Sequence, residues 1–117
     1  MPDTLSIAIA QLNPVVGDIA GNLAEARAAR AEAAKQGADL VVFTEIYIGG
    51  YPPEDLILKP SFVAACEDAV HTFAGDTADG GPGVLIGTPW KSEKGVHKKG
   101  PLKITKRSIQ LNTDQIL

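Results

Sequence analysis

Cysteine, aromatic residues and long apolar runs are all scarce in this sequence. Cys66 is the single cysteine, so no disulfide can close within the chain and no cysteine-rich zinc site is available. A reducing, cytoplasmic setting is the matching expectation. No apolar run approaches the roughly 20 residues that a membrane-spanning helix needs. The amino-terminal stretch MPDTLSIAIAQL carries an acid and no basic cluster, unlike a secretory signal. Neither a P-loop nor a G-x-G-x-x-G pattern occurs, so no phosphate cradle is expected. The two histidines, His71 and His97, fall on the polar side of an expected helix and in a basic segment, and neither marks a metal or catalytic site.

What is present fits one globular domain: 117 residues, 44% hydrophobic and 21% charged. The net charge of −3 conceals an asymmetry. Up to Trp90 there are four basic residues against twelve acidic ones, and from Lys91 onward seven against two. Such a basic end could contact nucleic acid or an acidic surface. No aromatic residue interleaves those charges, and stacking platforms for bases are therefore lacking. A solvated tail is the simpler expectation.

The residue period then places elements. In TLSIAIAQL, Leu5, Ile7 and Ile9 alternate with Ser6, Ala8 and Ala10, which predicts a strand buried on both faces with its small face against a helix. The loop NPVVGD follows, and Asp18 is placed to cap what comes next. Residues 19–36 predict an alanine-rich helix with Ile19, Leu23, Ala26, Ala29 and Ala33 on one stripe and Gly37 as its left-handed stop. ADLVVFTE reads as a central strand of a parallel sheet, completing a β–α–β unit. GYPPEDLILKP is a proline-stiffened loop with room for one helical turn. Ser61 is placed to cap a helix over FVAACEDAVHTFAG, with Phe62, Ala65, Cys66, Ala69 and Phe73 on one face. GDTADGGPG is expected as an exposed loop and VLIGTPW as a third strand. KITKRSIQLNTDQIL allows two edge strands around a turn at Asn112–Asp114.

In such sheets, active groups collect at the carboxyl ends of strands. Gln11, Asn13 and Glu45 all lie there in this reading. A carboxylate closing an apolar run is disfavoured in its charged form, which suits a general base near neutrality. A strand-end glutamate equally serves by capping a loop or facing solvent, and spacing alone does not choose. Cys66 sits mid-helix on the stripe with Phe62 and Phe73, where it acts as a small buried hydrophobe and not as a nucleophile.

Four stretches carry a resemblance: AQLNPVVGDIAGN, GADLVVFTE, GYPPEDL and, more loosely, GPGVLIGTPW. Together they make residues 5–90 resemble the start of a nitrilase-superfamily (carbon–nitrogen hydrolase) domain. GYPPEDL directly after the strand-end glutamate resembles the glutaminase domains of glutamine-dependent NAD synthetases. Residues 91–117 form a basic, poorly matching tail. The resemblance implies an α/β fold, the amino-terminal part of an α–β–β–α sandwich, which leaves an apolar sheet face and a strand edge uncovered. It implies a Glu–Lys–Cys constellation for glutamine amide hydrolysis, with Glu45 as general base and Tyr51 walling the glutamine pocket. Ring packing of Tyr51 on the prolines is the alternative. Thr44 stands where the family usually has proline, and Gly49 where it has threonine or serine.

No lysine or cysteine here matches the family's other two catalytic positions. The chain therefore reads as a truncated piece, inactive alone, whose partners are glutamine, the rest of the catalytic domain and a synthetase domain. The complete family protein forms homo-oligomers and uses ATP with magnesium; no cofactor is expected in this chain. A fragment of a stand-alone amidase, or a non-catalytic module binding through the basic tail, are the competing expectations. No membrane partner is expected.

Overall fold

The structure, a computed structural model, describes residues 4–92, 95–97, 101–104 and 109–112. Strand β1 (Ile7–Ala10) leads into helix α1 (Ile19–Lys35), and β2 (Leu40–Phe43) returns beside β1 in parallel. A 3₁₀ turn (Glu54–Leu58) precedes helix α2 (Pro60–Asp76), and β3 (Gly83–Gly87) pairs in parallel with the other side of β2. The expected β–α–β unit with a central second strand is thus observed. Strand β4 (Trp90–Ser92) and strand β5 (Gly95–His97) form a separate antiparallel pair. Strands β6 (Pro101–Ile104) and β7 (Ile109–Asn112) extend the main sheet antiparallel to β3, giving the order β1-β2-β3-β6-β7. The sheet is therefore mixed. The expected turn at Asn112–Asp114 falls, after Asn112, outside the described residues.

Register decides which face is buried. Ala8, Val41 and Val84 stand side by side, and residues two apart share a face. Ala8, Ala10, Val41, Phe43, Val84 and Ile86 accordingly meet both helices in one core, together with Ala26 and Ala33 of α1 and Cys66, Ala69, Val70 and Phe73 of α2. The opposite face is open: Ile7 is 52% and Ile9 70% exposed. This corrects the expectation that the first strand is buried on both faces. It is the outermost strand, and the described residues place no layer over its larger side chains.

Local signals explain most element ends. Asp18 caps α1, its side chain accepting from the Gly21 N–H at 3.0 Å, and Gly37 leaves the helix at φ +82°. Helix α2 departs from expectation. It starts one residue before Ser61, with Pro60 in the first turn and Lys59 at the N-cap without a side-chain bond. Proline's fixed φ and missing donor suit that first position, so Ser61 is already inside the helix and caps nothing. The segment expected as an exposed loop begins within α2 and continues as a 3₁₀ turn over Thr77–Asp79, where Thr77 is buried.

Helix α1 also carries two buried polar residues, Asn22 and Arg30. Arg30 ties the helix to the segment before β3. Its Nε donates to the Pro82 carbonyl at 2.9 Å, and its two terminal nitrogens meet both carboxylate oxygens of Asp79 at 2.7 and 3.0 Å. Such a two-pronged pair is geometrically specific. The Arg30 hydrogen bonds, helped by the Gly81 N–H, hold the Asp79 carboxyl below the ordinary carboxylate range. With the folded value depressed, the unfolded chain binds more protons, so this contribution is complete above about pH 4 and lost as pH falls through the folded value. Acid unfolding followed by circular dichroism is expected to show that loss, and Asp79→Asn to remove its pH dependence while lowering stability at neutral pH. An unchanged acid limb in the variant would contradict the assignment.

Candidate functional site

The loops after β1 and β2 leave the same edge of the sheet, because the two strands run parallel with Ala10 opposite Phe43. Gln11 and Asn13 are exposed in the first loop. Strand β2 closes at Phe43, and residues 45–49 form a turn. Apolar burial resumes at once: Ile46, Tyr47 and Ile48 are each at most 1% exposed. Glu45 itself is exposed. This corrects the expectation of a carboxylate in an apolar setting. The buried run breaks at Phe43, the chain turns through a left-handed Ile46 (φ 49°), and Glu45 is left outside between two buried segments.

The backbone beneath it is firmly held. Phe43 packs on Tyr47 with ring centroids 5.1 Å apart and edge-on against Phe73 at 5.9 Å. The Gly50 N–H closes the turn on the Tyr47 carbonyl at 3.1 Å, and the Gly17 N–H reaches across from the first loop to the Gly49 carbonyl at 2.9 Å. Asn22 joins the same two loops: its amide nitrogen donates to the Val15 and Ile48 carbonyls, and its oxygen accepts from the Val15 N–H, all at 2.9 Å. A β-branched residue at positive φ is strained in isolation, of order 1–3 kcal/mol, and these contacts hold it there.

Burial, then the nearby Glu25 carboxylate, pushes the Tyr47 hydroxyl up to about 12; the hydroxyl donates toward Glu25 Oε2 at 3.5 Å. Tyr51, the other residue expected to line a pocket, is 58% exposed on the loop that follows the turn. Cys66 lies under Gly49, its Sγ 3.4 Å from where a β-carbon on that glycine would stand. Burial pushes the thiol up to about 12, against a hydrogen bond to Thr88 that lowers it. A thiol so placed stays protonated at neutral pH and is a poor nucleophile, as expected from its place on the helix stripe. His71 is exposed, its ring 5.5 Å from Trp90. Among the described residues, no group of three or more His, Cys, Asp or Glu is placed to hold a metal ion. No helix among them is long and apolar enough to cross a membrane.

Asn22 and Tyr47 were not singled out from the sequence. A signal for Asn22 existed: it lies three residues after Ile19 and four before Ala26, on the apolar stripe. Tyr47 gave none, because its partner Phe43 is an ordinary strand residue.

The profile of the carbon-nitrogen hydrolase family matches residues 6–98. A glutamine-dependent NAD(+) synthetase from Thermotoga maritima is 45% identical over 83 residues, 71% of this chain and 14% of that one. The solved glutamine-dependent NAD+ synthetase from Acinetobacter baumannii, in complex with ADP, superposes with a TM-score of 0.76 at 28% identity, over 91% of this chain and 20% of that one. A variant of the amidase from Nesterenkonia sp. AN1 shares the fold, with a TM-score of 0.74 at 22% identity over 92% of this chain and 42% of its own. That amidase carries the acetamide moiety of fluoroacetamide added covalently at its active-site cysteine. The present chain spans a fifth or less of the length of the two synthetases.

Proposed function

We propose that this chain, which belongs to the carbon–nitrogen hydrolase family, is the amino-terminal part of the glutaminase domain of a glutamine-dependent NAD synthetase, with Glu45 as its general base. The observation that carries the reading is the 45% identity to the Thermotoga synthetase over 83 residues, 71% of this chain. The turn adds physical support: an exposed carboxylate on a backbone fixed from both sides can meet a group brought by another part of the domain.

In this reading Glu45 takes the proton of a cysteine thiol, and the thiolate attacks the side-chain amide carbon of glutamine. A lysine ammonium offsets the charge on the tetrahedral oxyanion. The intermediate collapses with transfer of the proton to the departing nitrogen, releasing ammonia and leaving a thioester. Water, deprotonated by the same carboxylate, then hydrolyses the thioester to glutamate. The nucleophile is not Cys66, which is buried and protonated. Both it and the lysine belong to a part of the domain other than these 117 residues. Tyr51 walls the glutamine side. The ammonia serves ATP- and magnesium-dependent amidation of nicotinate adenine dinucleotide in a synthetase domain, within a cytoplasmic homo-oligomer.

Two measurements test this. The 117-residue chain alone is expected to release no ammonia from glutamine. Residues 6–98, put in place of the matching segment of the Thermotoga synthetase, are expected to give a chimera that makes NAD from glutamine. A chimera that makes NAD from free ammonium yet releases none from glutamine would overturn the reading, since its synthetase half would then be intact.

A further inference from the structure

We infer that the open face of the main sheet is a docking surface for a second copy of this chain, packed sheet on sheet. The strand registers line aliphatic residues up in rows. Ile9 stands beside Val42, Val42 beside Leu85, Leu85 beside Ile104 and Ile104 beside Ile109. One row thus crosses all five strands without a polar residue. Next to it, Ile7 stands beside Leu40, and Leu102 beside Leu111. The intervening rows belong to the face that the helices cover, and there the apolar character ends at β3: Ile86 stands beside Lys103, and Lys103 beside Gln110. In β6 and β7 the aliphatic alternation therefore follows the open face, not the helix-covered one.

A sheet face meant for water carries polar residues at its outward positions. Here those positions are aliphatic, with Ile7 and Ile9 more than half exposed and Val42 and Leu85 half-buried. Such a surface offers no charge and no hydrogen-bonding side chain for a polar ligand to find. What fits it is another apolar β-layer, since sheets pack face to face through their inner rows. A second copy supplies that layer. A two-fold axis brings each patch onto itself, and a uniformly aliphatic row asks for no counter-charge on the other side. The net charge of −3 per chain opposes the approach only weakly at physiological salt. Area sets the strength. At roughly 65 Å² apiece, the nine aliphatic residues in these rows remove about 600 Å² per copy, or about 1,200 Å² in all, the lower end of specific interfaces. A reversible dimer in the micromolar range is the matching expectation.

Sedimentation equilibrium of the full 117-residue chain is expected to show its mass rising from 12.2 kDa toward twice that value between about 1 and about 100 μM. Ile9→Lys puts an ammonium into the row of both copies at once and is expected to weaken association at least about a hundredfold. Residue 9 is 70% exposed in the single chain, so the circular dichroism of the variant should match that of the parent. Leu58→Lys, at a 76% exposed position on the 3₁₀ turn, is expected to leave the mass curve where it was. In a half-labelled sample, isotope-filtered NOEs should join the Ile7 and Ile9 methyls to aliphatic methyls of the other copy. A chain that stays monomeric over the whole range, or that grows past a dimer, would overturn the assignment. So would a dimer that Ile9→Lys leaves intact or that Leu58→Lys disrupts equally. If Ile9→Lys does not fold, the NOEs of the unsubstituted chain decide alone, and a dimer without such contacts places the interface elsewhere.

Discussion

Glu45→Gln, carried into the Thermotoga chimera, lowers glutamine turnover by about three orders of magnitude and leaves ammonium-dependent NAD synthesis unchanged. The expected size follows from the work assigned to the carboxylate. In the proposed reading it deprotonates the thiol before attack and the water before thioester hydrolysis, so both halves of the reaction would slow. Glutamine at position 45 matches glutamate in shape and hydrogen-bonding reach but cannot take a proton. Stability should change little, since the substitution keeps the shape and hydrogen-bonding reach of a side chain at an exposed position. KM should hold for the same reason, because binding of glutamine does not use the proton. Steady-state ammonia release with and without the substitution measures the effect. A loss below tenfold would assign the base to another residue.

The exposure of Glu45 changes how the site is understood. In the proposed reading, an exposed base meets its substrate where another part of the domain closes over it. The apolar face carrying Ile7 and Ile9 is uncovered in the same way. Both observations fit a β-layer that is one half of a sandwich, as the superposition over 91% of this chain and only 20% of the Acinetobacter synthetase also indicates. Catalytic geometry in this reading is divided. The present chain supplies a rigid ledge, and the rest of the domain supplies the pocket.

Much of that ledge was legible in the residues because its signals are local. Alanine spacing gave α1, Asp18 and Gly37 gave its ends, and the unbroken apolar run of β2 gave a central parallel strand. Where two local signals compete, the outcome is harder to read: Pro60 at the helix start displaced Ser61 as the cap. Long-range polar partners were invisible for a plainer reason. Asn22 bonds Ile48, 26 residues away, and Arg30 bonds Pro82, 52 away, and no periodicity encodes such pairings. Burial of Ile7 and Ile9 was over-read because alternation reports which residues share a face, not whether a second layer arrives. The antiparallel addition of β6 next to β3 likewise lies beyond what a short, lysine-bearing segment announces. Resemblance, not spacing, singled out Glu45.

Gly50→Ala should be the most damaging single methyl in the described chain, costing about 3 kcal/mol. Two terms add. Gly50 has φ +84°, where a side chain costs roughly 1 kcal/mol or somewhat more. A β-carbon there would also lie 2.5 Å from Val16 Cα and 2.8 Å from Val16 N, contacts with backbone that no rotamer change relieves. The first loop must then lift off the turn, breaking the Gly17–Gly49 hydrogen bond and pulling on Val15, which Asn22 holds. Gly37→Ala separates the two terms, because Gly37 has nearly the same φ, +82°, with nothing within 4 Å of the added carbon. It should cost only about 1 kcal/mol. Gly49→Ser lies between: its β-carbon meets Phe62 Cζ at 2.8 Å, the far end of a half-buried ring that can swing aside. Urea unfolding midpoints, with m unchanged, rank the three. Equal costs at Gly50 and Gly37 would mean that the loop rests only lightly on the turn, and the turn would then owe its shape to α1 and the aromatic stack alone.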